Sequence, residues 1–248
     1  MSSLIAQTIT ITGHGGDEIE AYEARPASGH RRGGMVVIHH LPGYDRATKE
    51  IVRRFAEMGY DSVCPNLFHR EAPGAEPDDA AAAARAKGGP PDDRVVGDVA
   101  GAAAHLRALD SSNGKVGVIG FCSGGRQTVL VACSTPVDAA VDCYGAFVIG
   151  DAPTEFGVKM TNLEALLPNL GCPLLGLFGN DDAHPSPAEV DRLEELLKAN
   201  GKDFEFHRYD GAGHAFFAVD RPAYRVEAAV DGWERIADFL THTLGPGA

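Results

Sequence analysis

The run Gly120-Phe121-Cys122-Ser123-Gly124-Gly125 follows the apolar stretch from Lys115 to Ile119 and opens a helix-compatible segment. A residue held at a sharp strand-to-helix turn is projected away from the end of the sheet. Its neighbours must be small, because the two backbones pass close to each other. The helix that begins there also presents N–H groups with no intrahelical partner, which favour developing negative charge. Such a turn commits the surrounding chain to a sheet with helices packed beside it, and it marks Cys122 as the candidate nucleophile.

The rest of the chain is consistent with that commitment. Residues 4–11 and 18–24 predict an antiparallel pair around His14-Gly15-Gly16-Asp17. Met35 to Ile38 reads as a buried strand, followed by the loop His39-His40-Leu41-Pro42-Gly43. A helix is expected over 47–58, with Ile51, Phe55 and Met58 on one side, and a short strand over Asp61 to Cys64 that ends at Pro65. Further helix is expected from Asp93 to Leu109, and further strands over Val137 to Cys143 and Pro173 to Phe178. Ser186-Pro187-Ala188-Glu189 has the form of a capping box with proline in the first turn. Phe204 and Phe206 alternate with polar residues, and Val226, Val230, Trp233, Ala237, Leu240 and Leu244 make a helical stripe near the C-terminus.

This alternation predicts one α/β domain over residues 1–248, a predominantly parallel central sheet flanked by helices. Residues 67–91 stand apart. Prolines and glycines bracket an alanine-rich stretch from Ala80 to Lys87, which reads either as a surface insertion or as a segment covering a pocket.

Composition excludes several alternatives. The chain carries 22 Lys and Arg against 35 Asp and Glu, a formal charge of −13, which disfavours a nucleic-acid backbone binder. No apolar run reaches a membrane-spanning length, and Met1-Ser2-Ser3-Leu4 does not begin a basic, then apolar leader, so a cytoplasmic location is expected. Cys64, Cys122, Cys133, Cys143 and Cys172 are widely spaced and odd in number, so neither a disulfide framework nor a zinc knuckle is expected.

A cysteine nucleophile needs a base and a group to orient that base. Phe178-Gly179-Asn180-Asp181-Asp182 follows one apolar strand, and Gly211-Ala212-Gly213-His214 follows the next. The order nucleophile, acid, base is that of an α/β-hydrolase triad. Asp182 is assigned to orient the imidazole, with Asp181 as the neighbouring alternative, and His214 to serve Cys122. The oxyanion hole is expected from the backbone N–H groups of Ser123 and Leu41. His39 and His40 are ambiguous between a polar pocket edge, substrate hydrogen bonds and packing. Adjacent histidines without a third ligand do not make a metal site. Phe216 and Phe217 fit either an apolar acyl pocket or the core.

Taken together, the His40-Leu41-Pro42-Gly43 loop, the cysteine turn, Gly179-Asn180-Asp181-Asp182 and Gly211-Ala212-Gly213-His214 resemble the dienelactone hydrolase family of the α/β-hydrolase fold group. Tyr144-Gly145 looks like that family's pocket-side aromatic segment. The resemblance implies an enzyme without cofactor or metal that hydrolyses a small lactone or ester through Cys122, Asp182 and His214. It implies a small-molecule substrate and neither a nucleic-acid nor a membrane partner. A monomer is expected. An acyltransferase using the same nucleophile, or an inactive small-molecule-binding protein, are the alternatives.

Two positions depart from the pattern. Where the family carries a glutamate that helps generate the thiolate, this chain has His40. Where it carries a carboxylate-gripping arginine after the catalytic histidine, this chain has Ala218. Arg70 and Arg85, on earlier segments, are the anion partners visible in the sequence, while Arg221 is expected to lie too far along or to point outward.

Overall fold

The structure, a computed structural model, describes residues 4–27, 29–41, 43–154 and 157–247. Pro42 of the early loop and Met1 to Ser3 lie outside the described residues. The strands are β1 (Leu4–Thr12), β2 (Glu18–Pro26), β3 (Arg32–Ile38), β4 (Asp61–Pro65), β5 (Ser112–Phe121), β6 (Ala139–Cys143), β7 (Leu174–Gly179) and β8 (Phe204–Tyr209). The helices are α1 (Arg46–Glu57), α2 (Pro77–Ala86), α3 (Asp92–Arg107), α4 (Ser123–Ser134), α5 (Pro187–Ala199) and α6 (Val226–Leu244).

The strands form one sheet in the order β1-β2-β4-β3-β5-β6-β7-β8. The expected first pair is antiparallel, in register from Leu4↔Pro26 to Thr12↔Glu18. β2 also runs antiparallel to β4, and every later pairing is parallel. Parallel strands covered on both faces read as continuous apolar runs. Accordingly β3, β6 and β7 are buried along their whole length.

Side chains alternate between two core layers with the strand period of two. Val36 and Ile38 of β3 enter the layer built with α3, α4 and α5, joined by Val99, Leu130 and Leu193. Met35 and Val37 enter the opposite layer, with Val52 and Phe55 of α1 and Ile236 and Leu240 of α6. The stripe expected in the terminal helix is therefore its packing face, although Val226 and Val230 stay exposed.

Local signals set several ends. Asp45 caps α1 by accepting the Thr48 N–H at 2.8 Å. The capping box of α5 is formed as expected: Ser186 Oγ accepts the Glu189 N–H, and the Glu189 carboxylate accepts the Ser186 N–H. Pro65 pairs with Ala21 at the last position of β4, where no β3 residue is registered against it, so its missing N–H interrupts nothing.

Residues 67–91 are tied to the body of the domain. The Arg70 guanidinium meets Asp17 at 2.7 Å and Asp98 at 2.8 Å, and Ala80, Ala81 and Ala84 of α2 join the core. Arg70 is thus committed to structural ion pairs, which removes it as a substitute for the missing pocket arginine. Buried Arg126 makes two bonds to Asp92, at 3.0 and 2.9 Å, and a third to the Thr161 carbonyl. It thereby ties α4, the helix behind Cys122, to the start of α3 and to the segment before β7.

Candidate active site

All the segments singled out for chemistry leave the C-terminal ends of parallel strands, where open α/β sheets hold their ligands. His40 and Leu41 follow β3, Cys122 follows β5, Tyr144 follows β6, Asp182 follows β7 and His214 follows β8. Sheet order brings β3, β5, β6, β7 and β8 side by side, so residues separated by well over a hundred positions share one end of the domain.

Cys122 has φ 56° and ψ −122°, in the left-handed half of backbone space that a side chain rarely occupies. Such strain costs of order 1–3 kcal/mol. It persists because the turn is held from several sides. The Cys122 N–H donates to the Cys143 carbonyl at 3.1 Å, and the Cys122 carbonyl accepts the Gly125 N–H at 2.9 Å. The glycines make this geometry available. A Cβ on Gly120 would collide with the Gly124 backbone, and one on Gly124 with the Ile38 carbonyl. Gly125 sits against the carboxylate of Asp142 and the backbone of Gly145. Asp142 is fully buried, accepts the Gly145 N–H at 2.7 Å, and burial pushes its carboxyl up to about 7.

His214 Nδ1 lies 2.8 Å from Asp182 Oδ2, and Asp182 is buried with its other oxygen accepting the His184 N–H at 2.9 Å. Asp181 is exposed. The choice between the adjacent acids is therefore made by burial and contact. Burial works against a charge on His214. Hydrogen bonds to Asp182 and to Cys122, with the negative charge of both, outweigh it and raise the His214 pKa to about 10. The ring of Tyr144 packs edge-on against His214, with centroids 5.2 Å apart.

Cys122, His214, Tyr144, Phe217, His40 and Leu41 all line one cavity of about 670 Å³. Phe216 does not line it; fully buried, it packs beneath Tyr144 and Tyr209. None of residues 67–91 lines it either, so the arrangement gives no support to a covering role for that segment. His40 Nε2 is 3.4 Å from Asp45 Oδ2, and its Nδ1 is 3.5 Å from Thr48 Oγ1. Burial lowers its pKa, Asp45 opposing.

Sequence reasoning missed the far wall of the cavity. Asp45, Thr48, Ile51 and Arg54 of the α1 region reach it, as does Trp233 of α6. Ile51 and Trp233 sit in apolar stripes that read as core, and no local signal shows that their helices flank an opening. The Arg54 guanidinium stacks on the Trp233 ring, 3.8 Å from its centroid.

The match to known proteins follows the same architecture. The family model for the dienelactone hydrolase family covers residues 19–244. The chain belongs to the dienelactone hydrolase family. A Methylorubrum extorquens relative, provisionally named a carboxymethylenebutenolidase, is 34% identical over 225 residues, covering 90% of this chain and 76% of its own. The carboxymethylenebutenolidase of Pseudomonas putida is 30% identical over 254 residues, covering 96% of this chain and 97% of its own. Among solved structures, a Klebsiella pneumoniae protein described provisionally as a dienelactone hydrolase superposes with a TM-score of 0.85. It is 27% identical over 96% of this chain and 99% of its own. Membership of the dienelactone hydrolase family supports a hydrolase acting on a small ester or lactone. Among the described residues no group of three or more His, Cys, Asp or Glu could hold a metal ion, and no helix is long and apolar enough to cross a membrane.

Proposed function

We propose that the protein hydrolyses a small ester or lactone through a thioester on Cys122. The observation that carries this reading is the His214 imidazole, bonded through Nδ1 to the buried Asp182 carboxylate at 2.8 Å and lining one cavity with Cys122. In the first half-reaction the sulfur attacks the acyl carbon and the carbonyl oxygen becomes an oxyanion. Backbone N–H groups of Ser123 and Leu41 receive it; among the described residues neither N–H has a hydrogen-bond partner, which leaves both free for that role. Collapse breaks the bond to the leaving oxygen, which takes its proton from His214. Water then attacks the thioester, giving its proton to the now neutral His214 and returning the sulfur.

Intact-mass measurement during turnover of phenyl acetate tests this directly. The expected result is an added acetyl mass confined to Cys122, decaying at a rate matching steady-state turnover. Decay only when an alcohol, amine or thiol is added would make the protein an acyltransferase, and an unmodified Cys122 during turnover would sink the reading.

The cavity also points to the substrate. The named activity of the Pseudomonas putida relative concerns a lactone that carries a carboxymethylene group. Of the charged residues on the wall, Asp45 contacts His40 at 3.4 Å and Glu50 contacts Arg53 at 3.6 Å; Arg221 also lines the cavity and meets Asp220 only at 4.0 Å, both side chains exposed. Arg54 is different. Its guanidinium faces the aromatic wall, and among the described residues no carboxylate lies within ion-pairing distance of it. Arg54 is the wall cation offered to an anionic substrate group, on a wall it shares with Trp233, Phe217 and Phe121, with the exposed Arg221 as the alternative. Arg54→Met should raise KM for a carboxylated aryl ester by roughly tenfold or more while leaving a neutral aryl ester within about twofold. Equal changes for both esters would remove Arg54 from recognition.

A further inference from the structure

His39 is nearly fully buried and is not part of the cavity wall, although the next two residues are. It therefore lies behind the loop that carries the Leu41 N–H. Its ring has two fixed neighbours. Nε2 accepts the Leu67 N–H at 3.1 Å, and Nδ1 is 3.0 Å from the His40 carbonyl oxygen. A backbone N–H can only donate, so Nε2 must carry the lone pair. Burial holds the ring neutral, its pKa lowered to about 4. The one ring proton is consequently on Nδ1, donated to the His40 carbonyl.

That bond has a geometric consequence one atom further along. In a trans peptide the C=O and the following N–H point in opposite directions within one plane. Holding the His40 carbonyl toward the buried ring turns the Leu41 N–H the other way, toward the cavity. The ring itself is clamped, edge-on to Phe68 with centroids 4.7 Å apart and in the space that a side chain on Gly43 would need. The Ser123 end of the hole is set against the same strand end, since Gly124 abuts the Ile38 carbonyl.

We propose that His39 is a positioning residue for the oxyanion hole, donating to the His40 carbonyl so that the Leu41 N–H is aimed at the reacting oxygen. This rests on the reading of Cys122 as nucleophile. The ring takes no proton from substrate and touches none; it acts through one peptide plane. Sequence reasoning could not separate His39 from His40, because the distinction lies in which side of the loop each ring occupies.

The test compares His39→Gln, His39→Asn and His39→Leu with phenyl acetate as substrate and phenylacetaldehyde as a probe that forms a tetrahedral adduct with a thiolate. His39→Leu removes the donor and should lower kcat roughly ten- to a hundredfold, with KM within about twofold. Its affinity for phenylacetaldehyde should fall by a similar factor. His39→Gln, which supplies one donor and one acceptor, should restore most of kcat. His39→Asn keeps a donor at the Nδ1 place and strands the Leu67 N–H, so it should lose thermal stability but keep kcat. Should His39→Leu not fold, the asparagine variant decides alone: a folded His39→Asn with kcat reduced tenfold or more overturns the proposal. So does a folded His39→Leu with wild-type kcat. Cys122→Ala, run in parallel, separates the two readings. If it is inactive while His39→Leu is unimpaired, only the positioning role falls; if it turns over like wild type, the nucleophile assignment falls first.

Discussion

Cys122→Ala should lower kcat for phenyl acetate by about 10⁴-fold or more, with the protein's melting temperature nearly unchanged. The size follows from what alanine removes: the attacking atom itself, with no other thiol positioned to replace it. Cys64 and Cys143 are fully buried and burial pushes both thiols up, while Cys133 and Cys172 lie in the opposite core layer. Cys122→Ser should also be slow, for a different reason. A serine hydroxyl is far less acidic than a thiol, so it must hand its proton to His214 as it attacks. Kinetics with both variants and mass analysis of the serine adduct check this; a serine variant as fast as wild type would show that the rate does not depend on a thiol at this position.

The second large effect is expected at Asp182. Asp182→Asn should reduce kcat by about 10⁴-fold, the scale seen when a buried triad acid is neutralised and the histidine is left in the wrong tautomer. The pH dependence gives the sharper test. The His214 pKa is raised to about 10 against an opposing burial effect, with Asp182 the first of the groups that raise it. In the wild type kcat/KM should therefore hold through neutral pH and fall as pH rises through about 10, where the proton needed by the leaving group is lost. In Asp182→Asn that limb should move to lower pH.

Stability follows the same sign. A histidine whose folded pKa lies above its ordinary 6.5 stabilises the native state fully below that value, and the contribution is lost as pH rises through about 10. The wild type's stability advantage over Asp182→Asn should thus shrink at alkaline pH. Denaturant titration at pH 6 and pH 10.5 measures it. An advantage that grows with pH would contradict the assignment of the proton.

Both predictions concern residues that the amino-acid sequence alone singles out, and the reason is local chemistry. Gly120, Gly124 and Gly125 leave their mark because two backbones cannot cross at a tight turn with side chains between them. Ser186 and Glu189 announce a helix start because the bonds they make lie within three residues. The strands declare themselves because covering a parallel sheet on both faces demands unbroken apolar runs. Asp182 and His214 can be named because each follows such a strand, although the adjacent carboxylates are not separable by pattern; burial of one and exposure of the other is a tertiary fact.

What the sequence does not disclose depends on contacts between distant segments. Arg54 and Trp233 are 179 positions apart by their numbering and meet only because α1 and α6 pack on the same face of the sheet. Arg70 reads as available for an anion, yet Asp17 and Asp98 occupy it in the fold. His39 and His40 are adjacent, identical in chemistry and opposite in placement: one ring sits behind the loop against Leu67 and Phe68, the other faces the cavity beside Asp45. Sequence by itself determined the order of elements, the sharp turn at Cys122 and the types of group that meet there, since these follow from backbone sterics and side-chain periodicity. Tertiary structure alone decided which charges are spent on one another and which remain for a ligand, because pairing depends on distances that chain order does not encode.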